Sequence, residues 1–366
     1  LASSRRAFFW SLAGATLGLA EKGQLFPSEI KRYKDAATEF DVYRLTDPAH
    51  ESRLPAYYGR ALSRNGSFLI YSSDRSGTTQ AYRMDLKNGQ SRILTEATGL
   101  VSDSLALSAD ERNIWYLDGR SLFLANLGSL RAREVYRIDE GFEPGHGFSF
   151  TEDGLYAALA EQKPGTSRLR LIAVRTGTAV TLAESSDPIS DPLPRPKRAG
   201  MLYRRGADEL WLVNFDGAQN RKLRLAPGSI GPALWSADGR AVVYLNFPSP
   251  STPKQLNNVR ECTPDTNEDK FIANTSQFVA FNRNGDSSVF IGASGSKASP
   301  YVLLLVRSVK RELTLCEHRS SDPRTVAPMF SPNSQRVFFQ SDRDGKVAIY
   351  AMTVDRLVEA TETEER

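Results

Sequence analysis

Residues able to do chemistry are sparse in this chain. Only three histidines occur among 366 residues, so a metal centre built from several imidazoles is excluded. His146 stands between two glycines in "GHGF", on the lead-in to an alternating run, and is the imidazole best placed to act as a general base. Tyr58 is a second candidate base, while Arg60, Gln277 and His318 offer groups that could hold a polar ligand. Each has a plainer reading as well: His146 as an ordinary loop residue, Gln277 as a partner of nearby backbone, His318 as a packed residue at a strand end. Arg195, Lys197, Arg198, Arg204 and Arg205 gather five cations within eleven residues. Such a group attracts an anion or simply solvates strand ends. No Ser-His-Asp order with a nucleophile elbow, phosphate-cradling glycine loop or Cys-x-x-Cys pair occurs. Cys262 and Cys316 fit no metal spacing; one disulfide and two buried thiols both remain open.

These residues must be positioned by a repeating unit. "PRTVAPMFSPNSQRVFFQSDRDGKVAIYAM" (323–352) reads as an apolar residue, a Ser, a polar turn, an alternating run, a second turn and a second run. The alternation indicates half-buried strands, and the Asn, Asp and Gly steps indicate tight turns. Variants recur around Ser63, Ser108, Thr151, Pro196, Ser236, Asn282 and Ser331, spaced by 40 to 49 residues. That is the period of a four-stranded propeller blade, and predicts an all-β, seven-bladed propeller around a central channel. "EFDVYRLTD" (39–47) has no local partner and is expected to close the last blade. "PSPSTPKQLNNVRECTPDTNEDK" (248–270) reads as a long loop or irregular hairpin in the fifth blade. "SDRSG" (73–77) and "SDRDG" (341–345) read as hairpin turns rather than a carboxylate site.

Composition suits one large β domain: 40% of residues are hydrophobic, and 47 Lys and Arg face 43 Asp and Glu. That balance indicates no nucleic-acid partner. At the N-terminus, "SSRRAFFWSLAGATLGLA" (3–20) sets paired arginines before an apolar run too short to span a bilayer. It reads as a twin-arginine-type export signal, which implies a periplasmic or extracellular protein, touching a membrane only through an uncleaved signal segment. The expected organisation is therefore signal 1–20, lead-in 21–38, propeller 39–356 and acidic tail 357–366.

The repeats resemble TolB-like propellers in general, and the whole mature chain is more closely similar to the oligogalacturonate lyase family. The resemblance is carried by "YKDAATEFDVYRLTD" (33–47), "ELWLVNFDGAQNRKL" (209–223), "PYVLLL" (300–305), "LTLCEHRSSD" (313–322) and "FSPNSQRVFFQSDRDGKVAIY" (330–350). It implies β-elimination on short pectin fragments: a base takes the proton α to a uronate carboxylate, and a divalent metal, typically manganese, stabilises the enolate-like charge. The family's His-Pro-His-Pro element is replaced by Thr325-Val326-Ala327-Pro328. Its other metal ligands fall at Asp322 and Gln277, its base histidine at Pro232 and its fourth-blade arginine at Glu209. Thr325 and Ala327 cannot replace imidazoles, so no metal cofactor is expected.

Two functions follow. One is an exported binding or scaffold module for an acidic oligosaccharide, a peptide or an envelope protein. The other is a divergent lyase whose base is His146 or Tyr58. If the substituted positions line one open cleft beside a base, catalysis remains possible; a cleft filled by bulky apolar chains excludes it.

Overall fold

The computed structural model describes residues 21–249 and 256–358. The export-signal reading at 1–20 and nearly all of the acidic tail lie outside the described residues. Among the described residues, no helix is long and apolar enough to cross a membrane.

The described strands form seven antiparallel sheets, one per blade, five of four strands and two of five. The second strand of several blades is buried along its whole length, as in Phe68–Ser73 and Val289–Ser294. Such strands are covered on both faces by neighbouring blades, which is why they read as apolar runs rather than strict alternation. The propeller and its seven-fold count match the sequence expectation.

Ring closure also matches it. Asp41–Arg44 pairs with Ala348–Thr353, so the chain's beginning completes the last blade. The closure goes further than a single strand. Lys31–Lys34 adds a fifth strand to that blade, and Leu25–Phe26 adds a fifth to the first blade beside Ser91–Ile93. Residues 21–38 are therefore part of the propeller rather than a lead-in. At the other end Val358 is buried in the core between the last two blades, so the fold runs past 356. Within "KDAATE", buried Asp35 accepts the N–H groups of Ala37 and Thr38, the Thr38 hydroxyl, and the Glu317 N–H of the sixth blade at 3.0 Å. That motif ties the closing hairpin to its neighbour.

The recurring Ser has a mechanical role at the foot of each inner strand. Ser108 Oγ accepts the Asn113 N–H at 3.0 Å while Ser108 N–H donates to the Asn113 carbonyl at 2.9 Å. Ser63, Thr151, Ser236 and Ser331 repeat this five-residue turn. In the fourth and sixth blades the equivalent residues are Arg195 and Asn284, not Pro196 and Asn282. Proline lacks the N–H that the turn needs. Within 248–270, the described residues from 256 on are more regular than expected: they contain the third strand, Asn258–Thr263, and the start of the fourth, Glu268–Asn274. The "DRSG" and "DRDG" stretches are turns, with Gly77 at φ +96° and Gly345 at φ +140°. Lys346 joins them across the ring closure at 2.8 Å from Asp74.

Candidate functional site

The inner strands of the second to sixth blades each lose register against the second strand partway along. The breaks lie between Val101 and Ala106, Pro144 and Phe148, Ser190 and Leu193, Ile230 and Ala233, and Phe278 and Ala280. A bulge re-aims side chains that a regular pleat would send between the blades. Here the bulges turn Asp103, His146, Asp191 and Pro232 into a cavity of about 330 Å³ at one end of the channel. Gly147 permits the closest approach, at φ +111° with its missing Cβ position 2.6 Å from Pro192 Cδ and 2.8 Å from Tyr58 Oη.

The floor of this cavity is the segment 54–60 of the first blade. Its inner strand stops at Arg53, and the chain crosses the axis before rejoining the blade at Leu62. Gln340 Oε1 accepts the Leu54 N–H at 2.7 Å, and Asn282 Nδ2 donates to the Tyr57 carbonyl at 2.8 Å. The Tyr57 hydroxyl accepts the Ala233 N–H at 3.3 Å and lies 3.4 Å from an Asp191 carboxylate oxygen. Arg60 offers its carbonyl to the Leu107 N–H at 2.7 Å. Tyr57 and Tyr58 also line a second cavity, of about 290 Å³, at the other end of the inner strands. The channel is thus two cups set back to back.

Burial and the Asp191 charge push both tyrosine hydroxyls well above their usual range. Tyr58 is therefore held protonated at neutral pH and is not a base, contrary to the sequence expectation. His146 is exposed on its bulge and makes no hydrogen bond to any described residue. It remains the candidate base. Arg53 and Arg324 stand at the rim, paired with local acids: Arg53 to Glu51 at 2.5 Å and Arg324 to Asp322 at 3.0 Å. Exposed pairs of this kind contribute at most about 1 kcal/mol, so either guanidinium can exchange its partner for an anionic ligand.

The remaining expectations separate in space. Thr325, Ala327 and Pro232 do line the His146 cavity, and no bulky apolar chain fills it. Gln277 lies elsewhere, in a groove with Ser276, Ser299 and Tyr301. Arg60 lines the opposite cup, its guanidinium bound to the Leu62 and Ala109 carbonyls and to Glu111. His318 is fully buried; its Nε2 meets the Ser294 carbonyl at 3.0 Å and its Nδ1 accepts the Ser320 N–H at 3.0 Å. With both nitrogens engaged by backbone and the ring fully buried, it serves packing and leaves no ring nitrogen for a ligand. Glu209 sits on an outer strand, held by Lys222 at 2.6 Å and Trp211 at 2.9 Å. The fourth-blade arginine that does approach the channel is Arg204, which donates to the Ile230 and Gly231 carbonyls at 2.9 and 2.6 Å and contacts Asp191 at 3.3 Å. It holds the bulge that presents Pro232. Three more arginines of the basic group are structural too: Arg195 forms two bonds to Asp265, Arg198 joins the same carboxylate, and Arg205 pairs with Asp187. Both thiols are free and buried, and burial pushes Cys262 up to about 12.

The positions that the resemblance makes metal ligands do not fit a divalent ion. The Thr325 hydroxyl donates to the Asp322 carbonyl at 2.8 Å, Ala327 has no donor atom, and Gln277 is in another groove. Arg324 occupies both oxygens of Asp322, at 3.0 Å each. Among the described residues, no three His, Cys, Asp or Glu side chains gather as a metal site. Asp103, Asp191, Arg53 and Gln340 were not singled out from sequence. The Asp-Pro step at 191–192 and the Gly-Pro step at 231–232, inside inner strands, were the available signal, since Pro and Gly within a strand mark a bulge.

Comparison with known proteins agrees with this architecture. A family profile described as oligogalacturonate lyase matches residues 20–154. The oligogalacturonate lyase of Dickeya dadantii is 25% identical, over 91% of this chain and 98% of its own length. A solved oligogalacturonate lyase in complex with manganese superposes with a TM-score of 0.85 at 23% identity, covering 91% of this chain and 98% of that one. One from Vibrio parahaemolyticus gives 0.84 at 24% identity, covering 91% and 99%.

Proposed function

We propose that this chain, which is related to the oligogalacturonate lyases, binds an acidic oligosaccharide in the His146 cup without the metal-assisted elimination of those relatives. The observation that carries this reading is the pairing of an open cup with a lost donor set. Thr325 and Ala327 line the cavity but offer no imidazole, while Arg53 and Arg324 stand at its rim. Guanidinium groups suit uronate carboxylates because two parallel N–H donors match two oxygens. The paired-arginine N-terminus carries the accompanying proposal that the protein works in the periplasm or outside the cell.

The test uses purified protein with oligogalacturonates, followed by calorimetric titration and by ultraviolet absorbance of an unsaturated product, with and without manganese. Binding with a flat absorbance trace is expected, and Arg324→Gln should weaken binding roughly tenfold, equivalent to about 1.4 kcal/mol. Absence of binding rejects the ligand class and turns attention to an envelope protein. A manganese-dependent rise overturns the reading of the donor set.

A second reading, a divergent lyase, is favoured by one observation: His146 lies in the cup with no described hydrogen-bond partner. A metal-independent rise that disappears in His146→Ala would establish it.

A further inference from the structure

The opposite cup carries its own chemistry. It is lined by the trailing ends of inner strands: Arg60 and Leu62 of the first blade, Arg283 and Asn284 of the sixth, Phe330 and Pro332 of the last. Tyr57 and Tyr58 form its floor, so it is separated from the His146 cup by the crossing segment. No carboxylate lines it, yet two guanidinium groups do.

The two arginines differ in how their charge is met. Arg60 has Glu111. Arg283 is half-buried and bonds only carbonyl oxygens: Nε to Trp235 at 2.7 Å, and Nη1 to Asn284 at 2.9 Å and Gly285 at 2.8 Å. Its Nη2 has no hydrogen-bond partner among the described residues, and it forms no ion pair there. The acids that influence it, Asp238 and Asp286, act from a distance: Asp238 is bound to the Ser236 hydroxyl and the Arg240 N–H, and Asp286 to the Ser288 N–H. Desolvation of this guanidinium lowers its pKa, but arginine does not lose its proton in water at ordinary pH. A half-buried charge without an ion pair is costly, and the carbonyl dipoles that fix Arg283 stabilise it without cancelling it.

We infer that the Arg283 cup is a second binding site, separate from the His146 cup, that takes a small oxyanion: a phosphate or a carboxylate group. The three carbonyl bonds hold the guanidinium plane still at the cavity wall, and Nη2 is the donor left for a ligand. Arg60, already shared with Glu111, contributes positive potential at the same wall. A phosphate would gain charge-assisted bonds of the kind that guanidinium donors form with oxyanions. This site does not depend on the oligosaccharide reading; the two cups share only Tyr57 and Tyr58 of the segment that divides them.

The experiment compares thermal melting of the full chain in inorganic phosphate, in acetate and in sodium chloride, all at equal ionic strength. At about twenty times the dissociation constant, the bound anion should raise Tm by roughly 2 to 4 °C above the chloride control. Arg283→Gln should abolish the rise, and Arg324→Gln, at the other cup, should keep it. A rise with phosphate alone assigns the site to phosphoryl groups; a rise with both admits carboxylate ligands. No rise above chloride overturns the site. So does a rise retained in Arg283→Gln, or one lost only in Arg324→Gln, which would place the anion beside His146. Should Arg283→Gln fail to fold, wild-type crystals soaked in arsenate decide: an anomalous peak within hydrogen-bond reach of Arg283 supports the site, and its absence rejects it.

Discussion

His318 illustrates how a chemically able residue is taken out of chemistry. Its Nε2–H donates to the Ser294 carbonyl and its Nδ1 accepts from Ser320, so the neutral tautomer is the one the fold holds. Burial lowers its pKa below the ordinary 6.5. The unfolded chain therefore takes up the proton first as pH falls. Stability from neutral His318 is complete above about 6.5 and declines as pH drops from there toward the lowered folded-state value, by at most about 1.4 kcal/mol per pH unit. Denaturant midpoints measured from pH 7 to 5 should fall, and His318→Gln, although less stable overall, should fall less steeply. Equal slopes in the two proteins would remove His318 as the cause. The same logic separates Tyr58 from His146. Both line one cavity, but the hydroxyl is buried beside a carboxylate and the imidazole is exposed without one in contact.

At the scale of the strand, the site is made by bulges. A regular inner strand would alternate its residues between adjoining blades, leaving Asp103, His146 and Asp191 with no common direction. The register breaks give them one. Gly147 is the tightest of these joints, since a Cβ there would meet Pro192 Cδ, the Asp191 nitrogen and Tyr58 Oη at 2.6, 2.7 and 2.8 Å. Gly147→Ala should thus cost about 1 to 3 kcal/mol through strain and overlap. It should also displace His146, so that ligand affinity falls along with the melting temperature. Wild-type stability and affinity in this variant would mean that the third-blade bulge is slack and does not set the cup. Sequence periodicity could count the strands but could not locate these breaks. An insertion of one to three residues leaves the apolar pattern on either side intact, and only the partner strand shows the slip.

The whole ring is held shut by its first described residues. Strands 31–34 and 41–44 close the last blade while 25–26 braces the first, so both sides of the seam are covered. Asp35 is the tie between this closure and the sixth blade, through Glu317. Asp35→Ala removes a buried acceptor of four hydrogen bonds; the Thr38 hydroxyl keeps the Leu315 carbonyl at 2.7 Å, but the Ala37, Thr38 and Glu317 N–H groups lose this acceptor. The expected cost is about 3 kcal/mol. It should be seen as a lowered denaturation midpoint, with faster hydrogen exchange in strands 41–44 and 311–317. A variant as stable as wild type would show that the hairpin is held by its ladder alone.

Several properties were settled by composition and spacing alone: an all-β chain, seven blades, closure by residues 39–47, and a histidine supply too small for an imidazole-rich metal site. These are legible because repeat period and strand alternation are local, and every blade buries its faces by the same rule. Tertiary structure alone decided which polar residues meet. It sent Gln277, Glu209 and His318 away from the channel, tied most of the basic cluster to carboxylates, and drew Tyr57 across the axis between two cups. The physical reason is distance along the chain. Asp103, His146 and Asp191 share a cavity because their bulges face one axis, and Thr325 joins them from the 3-10 turn at Pro323–Thr325; no sequence separation encodes that shared direction.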